Sequence, residues 1–558
     1  MMHQKLRIGL LMDSFDIPVW EYVMLEKIIK SDFGTIELIV LNDTKKEKRI
    51  LIKKIVNNNL KTLFYIVYCQ FENKLCKCSP NAFEKIESKG LLADIPTIEV
   101  RPRQTALFDL IEHEDIVKIK SFNIDVFIRL GFRILKGEIL HASRYDIWSY
   151  HHGDNQVIRG GPPGFWEVFE NHLVTGTTLQ ILTEDLDNGT VIYRSYSSTD
   201  PHYVNRNRNN YYWKSLSFLP RKLDELYRFG EKQFFDKIAK YNTTQLTSLG
   251  RIYTTPTNVE MIRLLSEHWL KMFNDFLFSK FYFKQWFLLF NLKDDSGNKF
   301  SQFNKIVPPK DRFWADPFIV FKNNLYYIFI EEYVYKNNKA HISLLIMDEK
   351  GNYKKPIKII DRPYHLSYPF IFEWKDEYYM IPESMYNKSI EVYKCKEFPN
   401  QWEFFMKLME NISAVDTTLL YYQEKWWLFT NIRENNGASE SDELFLFSSN
   451  NPFSCRWKPH LQNPIVSDVR SARSAGKLFL QNGYIYRPSQ DCSKTYGYAV
   501  KINRVNKLND MEYEEVEVYS IKPTWDKNII AIHTFNKENK LTMIDGRIKR
   551  LKYFLFEQ

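Results

Sequence analysis

The sequence predicts a multidomain chain. We expect an α/β domain with a Rossmann-type parallel sheet over residues 1–200, a mostly helical connector over residues 201–282, and an all-β five-bladed propeller over residues 283–558. Strands and helices alternate in the first third, helical spacing dominates the middle, and short aromatic strands recur about every fifty residues in the last half. At 558 residues the chain is also too long for a single hydrophobic core.

Composition narrows the classes of function. The net charge of +9 is spread along the chain, which is typical of a solvated surface, and we expect no nucleic-acid partner. Six cysteines show no CxxC spacing, so we expect free thiols and no metal site. The aromatic content of 16% favours strands and surfaces that stack on sugar rings.

Targeting signals are not evident. The apolar run at residues 8–12 is too short for a signal peptide, and no run is long enough to cross a bilayer. We therefore expect a cytoplasmic protein. The aromatic stretch at residues 276–290 leaves two interpretations open, packing at a domain interface or peripheral contact with a membrane.

The order of elements in the first third places a loop where ligands bind. A strand at residues 8–12, a helix at 20–30 and a strand at 36–41 predict a parallel sheet with crossover helices. A further strand at 125–130 precedes a loop at 149–167. Open α/β sheets bind ligands beyond the carboxyl ends of their strands, so we expect a site at this loop.

The loop carries groups suited to acid–base chemistry. It holds two adjacent histidines, the acid Asp154 and four glycines, and very few aliphatic side chains. The candidate residues of this site are Ser149, His151, His152, Asp154, Asn155, Arg159 and Gly160, with Asp187 further along the chain.

The spacing of these residues resembles the catalytic core of the folate-dependent formyltransferases, which include the methionyl-tRNA, glycinamide-ribotide and sugar N-formyltransferases. Arg159 and Gly160 follow His151 at the family's spacing. The segments Thr175-Gly176-Thr177-Thr178 and Leu186-Asp187-Asn188-Gly189 match the family's later motifs. The likeness covers roughly residues 5–200.

The resemblance implies an activity, roles and a cofactor. His151 would be the base that takes a proton from an attacking amine, and Asp187 would orient and stabilise its imidazole. Ser149 stands where the family has the asparagine that stabilises the oxyanion, which is a departure from its pattern. The implied donor is N10-formyltetrahydrofolate, and the implied acceptor is a nucleotide-linked amino sugar or glycan.

The last half of the chain contains a repeated pair of strands. Segments such as Leu325-Tyr326-Tyr327-Ile328-Phe329 and Lys425-Trp426-Trp427-Leu428-Phe429 each follow a hairpin turn and another strand. Five such pairs predict five blades closed in a ring. The inner strands of a propeller converge on its axis, and this gathers the polar residues Asp316, Glu383, Asp416, Arg473, Arg487, Asp491 and His533.

Two interpretations of these polar residues stay open. They pair with one another to fill the channel, or they form a pocket for a sugar-like ligand, because unpaired buried charges are costly. Phe313-Trp314-Ala315-Asp316-Pro317-Phe318 resembles the opening of family-43-type glycoside hydrolases. His365-Leu366-Ser367-Tyr368-Pro369 and Ile381-Pro382-Glu383-Ser384 resemble the N-terminal domain of glucosamine inositolphosphorylceramide transferases.

Together these features predict a formyltransferase-like enzyme of glycan biosynthesis whose propeller holds the glycan. One alternative is a glycoside hydrolase or glycosyl-transferring propeller with a degenerate first domain. Another is a glycan-binding protein without enzymatic activity.

Overall fold

The computed structural model describes residues 4–44, 60–105, 108–184, 189–243, 251–292 and 300–552. The chain divides into two compact units, Met1–Leu270 with Asn435–Ala438, and Lys271–Glu434 with Ser439–Gln558. The first unit is an α/β domain and the second is an all-β five-bladed propeller, so the predicted fold class is confirmed. The predicted boundaries at residues 200 and 282 stay predictions.

The first unit is built on a seven-stranded sheet. Its strands lie in the order Thr190–Ser198, Val174–Ile181, Ile147–His151, Val126–Arg129, Leu6–Met12, Gly34–Asn42 and Thr97–Val100. The last five of these are parallel, and the first two are antiparallel additions at one edge. Leu6–Met12 is buried along nearly its whole length, as expected for a central parallel strand covered on both faces.

Helices and short strands complete the first unit. The helices are Val19–Ile29, Leu63–Leu75, His113–Lys120, Phe165–Phe169, Val204–Ser215 and Phe218–Thr243, with a 3₁₀ turn at Glu138–His141. A further helix, Asn258–Phe281, begins in the first unit and ends in the second. The short strands are Asp16–Pro18, Lys85–Glu87, Arg103–Gln104, Phe108–Leu110, Ile134–Lys136, Arg159–Gly160 and Ile252–Tyr253. Within the described ranges, no helix is both long enough and apolar enough to span a membrane.

Parallel strands bring distant parts of the sequence to one edge of the sheet. Leu6–Met12 ends beside Asp13, Val126–Arg129 ends at Arg129, and Ile147–His151 ends at His151. These ends lie together because neighbouring strands run in the same direction. The predicted loop site therefore begins at the carboxyl edge of this sheet.

Four blades of the propeller are consecutive four-stranded antiparallel sheets. Blade 1 is Arg312–Lys322, Leu325–Val334, Lys339–Asp348 and Ile357–Ile360, and blade 2 is Ser367–Trp374, Glu377–Glu383, Ser389–Glu397 and Gln401–Glu410. Blade 3 is Ala414–Tyr422, Lys425–Ile432, Leu444–Ser449 and Lys458–Pro459, and blade 4 is Phe479–Gln481, Tyr484–Asp491, Ala499–Leu508 and Tyr513–Ile521. Single 3₁₀ turns lie at Phe300–Gln302, Tyr335–Asn337 and Met385–Asn387.

Blade 5 closes the ring with strands from both ends of the propeller sequence. Tyr282–Asn291 pairs antiparallel with Leu541–Leu551 over ten residue pairs. Asn304–Ile306, Ile529–Ala531 and Phe535–Glu538 complete this sheet. His533 and Thr534 lie between two of these short strands, because their backbone N–H groups donate to the carboxylate of Asp545 instead of to a neighbouring strand.

Candidate functional site

His151 ends its strand with a defined tautomer. Its Nε2 lies 3.1 Å from the carbonyl oxygen of Ile158, across the turn of the predicted loop. A carbonyl accepts only from a protonated nitrogen, so in the neutral ring Nδ1 is the nitrogen that can accept a proton. The backbone of the loop therefore performs part of the orienting role that the resemblance implies for Asp187. Asp187 itself lies outside the described residues.

His152 faces into an aromatic box. Its ring stacks on Tyr212 at a centroid distance of 3.7 Å and on Tyr150 at 5.4 Å, and Trp20 meets it edge-on. Burial, aided by the nearby His151, lowers the pKa of His152 well below its ordinary value. His152 is therefore a neutral wall of the site and does not serve as a cation near neutral pH.

Ser149 is bound by an arginine that lies outside the predicted site. An Nη of Arg129 donates to Ser149 Oγ at 3.0 Å, and the other Nη donates to the carbonyl of Phe132. Ser149 is almost completely buried, and the two residues are paired in neighbouring parallel strands. A guanidinium therefore lies at the position where the resemblance places the oxyanion donor.

Asp154 and Asn155 are structural anchors of the loop. Asp154 accepts hydrogen bonds from Tyr196 Oη and the Gln156 backbone, and Asn155 accepts one from Arg194 at 2.6 Å. A side chain at Gly176 would lie within 2.9 Å of Asp154, so only glycine lets the loop pack here.

Arg159 and Gly160 lie in a short parallel ladder with Ile252–Tyr253. Gly160 has φ of +82°, and a Cβ there would meet the Tyr253 carbonyl oxygen at 2.2 Å. This close approach requires glycine at position 160. The backbone of these two residues thus fixes the far end of the loop, and their contact with a substrate stays a prediction.

Two cavities meet at the carboxyl edge of the sheet. The larger, of about 330 Å³, is lined by Ser149, His152, Arg129 and several aromatic rings. The smaller, of about 80 Å³, is lined by His151 and by apolar residues such as Ile134 and Leu135. Both cavities include Arg129 and Tyr150 in their walls, so the two spaces adjoin.

The larger cavity also contains a carboxyl group that stays protonated near neutral pH. Burial raises the pKa of Glu21 to about 8, although the nearby Lys85 opposes the shift. A neutral carboxyl can donate a hydrogen bond as well as accept one. No sequence motif indicates Glu21, because it lies within an ordinary amphipathic helix.

In the propeller, His533 lies between two buried carboxylates. Its Nδ1 is 2.7 Å from Asp545 and its Nε2 is 3.4 Å from Asp316. Burial alone would lower the pKa of His533, but Asp545 and Asp316 together raise it to about 9. The three residues are close enough to surround a cation. However, a protonated ring between two carboxylates offers no lone pair to a metal.

A second group of charges surrounds Arg473. Its Nε donates to Asp416 at 2.7 Å, and one Nη lies 3.7 Å from Glu383. Burial and the neighbouring Asp416 carboxylate raise the pKa of Glu383 to about 8. Asp316 also acts on Glu383 electrostatically, so the two groups of charges belong to one cluster. We call Asp316, Glu383, Asp416, Arg473 and His533 the axial cluster.

Arg487 and Asp491 do not join the contacts of the axial cluster. The guanidinium of Arg487 is bound by Glu515 at 2.6 and 2.7 Å and by the Ser471 carbonyl. Asp491 accepts the backbone N–H of Ser493 and so holds the turn after its strand. Arg487 is thus paired with Glu515, which lies two strands away in the same blade, and its contact with a ligand stays a prediction.

Two residues outside the predicted pocket, His365 and Tyr496, lie beside this cluster. His365 lies 3.2 Å from Glu331, and its charge also acts on Glu383. Tyr496 lies under Arg473, 4.8 Å from the guanidinium to the ring centroid, and beside His533. His365 could have been found from its place just before an inner strand, but nothing in the sequence pattern distinguishes Tyr496 within its loop.

Residues 303–539 match the protein family described as glucosamine inositolphosphorylceramide transferase 1, N-terminal. A relative of that name from Oryza sativa subsp. japonica is 35% identical over 209 residues, which cover 37% of this chain and 28% of the relative. A methionyl-tRNA formyltransferase from Prochlorococcus marinus (strain MIT 9215) is 30% identical over 147 residues, covering 26% of this chain and 43% of the relative.

Among solved structures, Bacteroides ovatus Xyloglucan PUL GH43B has 11% identity and a TM-score of 0.30, and the match covers 42% of this chain and 51% of that chain. The chain spans less than a third of the length of the inositolphosphorylceramide transferases it matches. Both resemblances predicted from motifs, to the formyltransferases and to that N-terminal domain, are thus also found over longer stretches of sequence.

The axial cluster makes the stability of the propeller depend on pH. The folded pKa values of His533, at about 9, and Glu383, at about 8, lie above the ordinary values of these side chains. The folded state therefore holds more protons than the unfolded chain, and stability falls as the pH rises. We expect the melting temperature of the propeller to fall between pH 6 and about 9.5 in calorimetry, as the pKa of His533 is passed.

Glu383→Gln keeps the shape of the side chain but removes its titration, so this variant should show a shallower fall through pH 5 to about 8. Glu377→Gln, at a surface carboxylate paired with Lys394, is the matched control and should follow the wild-type curve over this pH range. If the melting temperatures of wild type and Glu383→Gln fall equally steeply with pH, the pKa of Glu383 is not raised in the folded state.

Proposed function

We propose that the chain is a transferase of glycan biosynthesis. In this proposal the α/β domain transfers a formyl group to the amine of an amino sugar, and the propeller binds the glycan or sugar that carries it. The observation that carries the proposal is the pair of adjoining cavities at the carboxyl edge of the sheet, with His151 in one and Ser149 in the other. A group transfer between two substrates requires such a pair of spaces with a shared boundary.

The residues at that boundary are suited to amine acylation. His151 has Nδ1 as its acceptor nitrogen and can take the proton that the attacking amine loses. Arg129, held against Ser149, carries a positive charge where negative charge develops on the formyl oxygen. A guanidinium thus supplies the stabilisation that a serine hydroxyl alone provides poorly.

The smaller cavity fits the ring of a folate by the chemistry of its lining. Ile134, Leu135 and Leu182 offer apolar surfaces for a flat ring, and Gln180 and Thr183 offer polar groups at its edge. N10-formyltetrahydrofolate, when bound, would supply the formyl group. The larger cavity, with Trp20, Tyr212 and the protonated Glu21, suits a sugar ring that stacks and exchanges hydrogen bonds.

The propeller contributes features expected of a glycan site. Tyr386 and Tyr496 are the exposed aromatic residues that accompany the axial cluster, with Tyr386 lying 5.8 Å from the ring of His365. Exposed tyrosines beside carboxylates and an arginine can stack on a sugar and bind its hydroxyls. The match of this region to the family described as glucosamine inositolphosphorylceramide transferase 1, N-terminal, supports a sugar ligand.

A second candidate function, cleavage or transfer of a glycosidic bond in the propeller, is favoured by one observation. Glu383 stays protonated near neutral pH while Asp416, bound to Arg473, lies beside it. A protonated acid paired with a carboxylate is the arrangement that glycosidases use. Against it, both oxygens of Asp316 are engaged, by Thr534 and by the Tyr368 backbone, which suits a structural role.

His151→Asn should lower formyl transfer from N10-formyltetrahydrofolate to nucleotide-linked amino sugars by roughly 10²–10⁴-fold, because the base is lost. Product formation is measured by mass spectrometry under single-turnover conditions. His172→Asn, at a partly buried histidine paired with Glu170, is the matched control and should keep full activity. If His151→Asn keeps its activity and its melting temperature is unchanged, His151 is not the base and the proposed formyl transfer at this site is contradicted.

Arg129→Gln should lower kcat by about 10²–10³-fold, since it removes the charged donor beside Ser149. Introducing Ser149→Asn into that variant restores a carboxamide donor and should recover part of the loss. Arg144→Gln, on a surface arginine paired with Glu231, serves as the control. If Arg129→Gln behaves like Arg144→Gln, the guanidinium has no part in the reaction.

The second candidate is tested on synthetic aryl glycosides. If the propeller is catalytic, wild type releases the aryl group and Glu383→Gln is slowed by at least about 10²-fold through loss of the acid. Binding of oligosaccharides by both proteins without any release would identify the propeller as a binding domain.

A further inference from the structure

The helix Asn258–Phe281 is apolar on two faces. One face, with Met261, Leu264 and His268, is buried. On the other side Trp269, Leu270, Phe273, Phe276 and Leu277 are solvent-exposed, and the first four are each more than half exposed. Positions 269, 273 and 276 are spaced by four and three residues, which aligns them along one side of the helix. We call these five residues the aromatic face.

Such a surface is unusual for a helix of a globular domain. Single exposed apolar side chains are common. A contiguous row of large apolar side chains instead marks a surface that binds another protein or a membrane. Tryptophan and phenylalanine are also the side chains that favour the interface between lipid headgroups and acyl chains.

Lysines surround the carboxyl end of the same helix. Lys280 lies over the ring of Phe276, and Lys549 lies over the ring of Phe278, 4.7 Å from Nζ to the centroid. Lys284 is paired with Lys549 across blade 5, and the backbone of Lys552 donates to Phe281. We call Lys280, Lys284, Lys549 and Lys552 the basic collar.

The collar carries a net positive charge. After Glu267, the helix and the start of its strand contain a single acid, Asp275. Burial and the neighbouring cations Arg547 and Lys549 lower the pKa of Lys284, as expected in a positive field. Long lysine side chains beside exposed aromatic rings can extend toward phosphate groups while the rings enter the apolar layer.

From these features we infer that the aromatic face and the basic collar form a docking surface for an anionic lipid bilayer. The helix lies in the plane of the interface, with Trp269, Phe273 and Phe276 among the acyl chains and the lysines at the headgroups. A second copy of the chain fits less well. A two-fold contact through this face brings the same patch of both copies together, and the two collars repel each other.

The test is sedimentation of the full chain with vesicles. We expect binding to phosphatidylcholine vesicles that contain about one quarter phosphatidylglycerol, weaker binding to phosphatidylcholine alone, and loss of the difference at high salt. The triple variant Trp269→Ser, Phe273→Ser, Phe276→Ser should bind the anionic vesicles at least about tenfold more weakly. The double variant Lys280→Glu, Lys549→Glu should lose the preference for anionic lipid.

A matched control distinguishes this surface from general hydrophobicity. Leu480, Tyr484 and Val518 are about as exposed and lie in blade 4, and their triple change to serine should leave vesicle binding unchanged. All variants change exposed side chains, so their melting temperatures should match wild type. Equal binding by the two triple variants would overturn the inference. A second result would also overturn it: wild type is a dimer in light scattering and binds no vesicles, and the aromatic-face variant is a monomer.

Discussion

The propeller depends on the carboxylate of Asp545, which is completely buried on the closing strand Leu541–Leu551. It accepts the backbone N–H groups of Asp316, His533 and Thr534 and lies 2.7 Å from the His533 ring. These donors and the imidazolium hold the pKa of Asp545 below its ordinary value despite its burial. One ionised side chain thus joins the last blade to the first, and it is retained in the core because its charge is fully compensated.

A left-handed backbone conformation recurs in the inner strands of three blades. Asp316, Tyr368 and Asp416 have φ values of +50°, +43° and +51°, and each lies where the register to the next strand shifts. A non-glycine residue in this region costs on the order of 1–3 kcal/mol. Each of the three is held by buried partners, such as Thr534, Thr418 and Arg473. These irregular backbone positions turn polar side chains toward the axial cluster. A regular strand would not place them there.

Much of this organisation follows from the sequence, for identifiable reasons. The period of about fifty residues predicts five blades because each blade needs the same two central strands. Asp316 and Asp416 could be selected because acids rarely interrupt buried strands. Arg487 is likewise a charged residue in a buried strand, but its guanidinium pairs with Glu515 two strands away in blade 4, a contact that the sequence pattern does not show. Tyr496 could not be found, since a loop tyrosine has no periodicity.

In the α/β domain, the contact between Arg129 and Ser149 could not be predicted from the sequence either. Ser149 could be recognised as a departure from a family motif, but its consequence depends on Arg129, twenty positions earlier in the sequence. A polar residue at the end of a buried parallel strand is ambiguous, since it can equally be a solvated terminus. The pairing of the two parallel strands resolves this ambiguity, because it places Arg129 beside Ser149. The neutral hydroxyl, a weak donor by itself, thereby becomes part of a site with a positively charged donor. The chemistry of this site is therefore a property of the sheet and not of the loop motif alone.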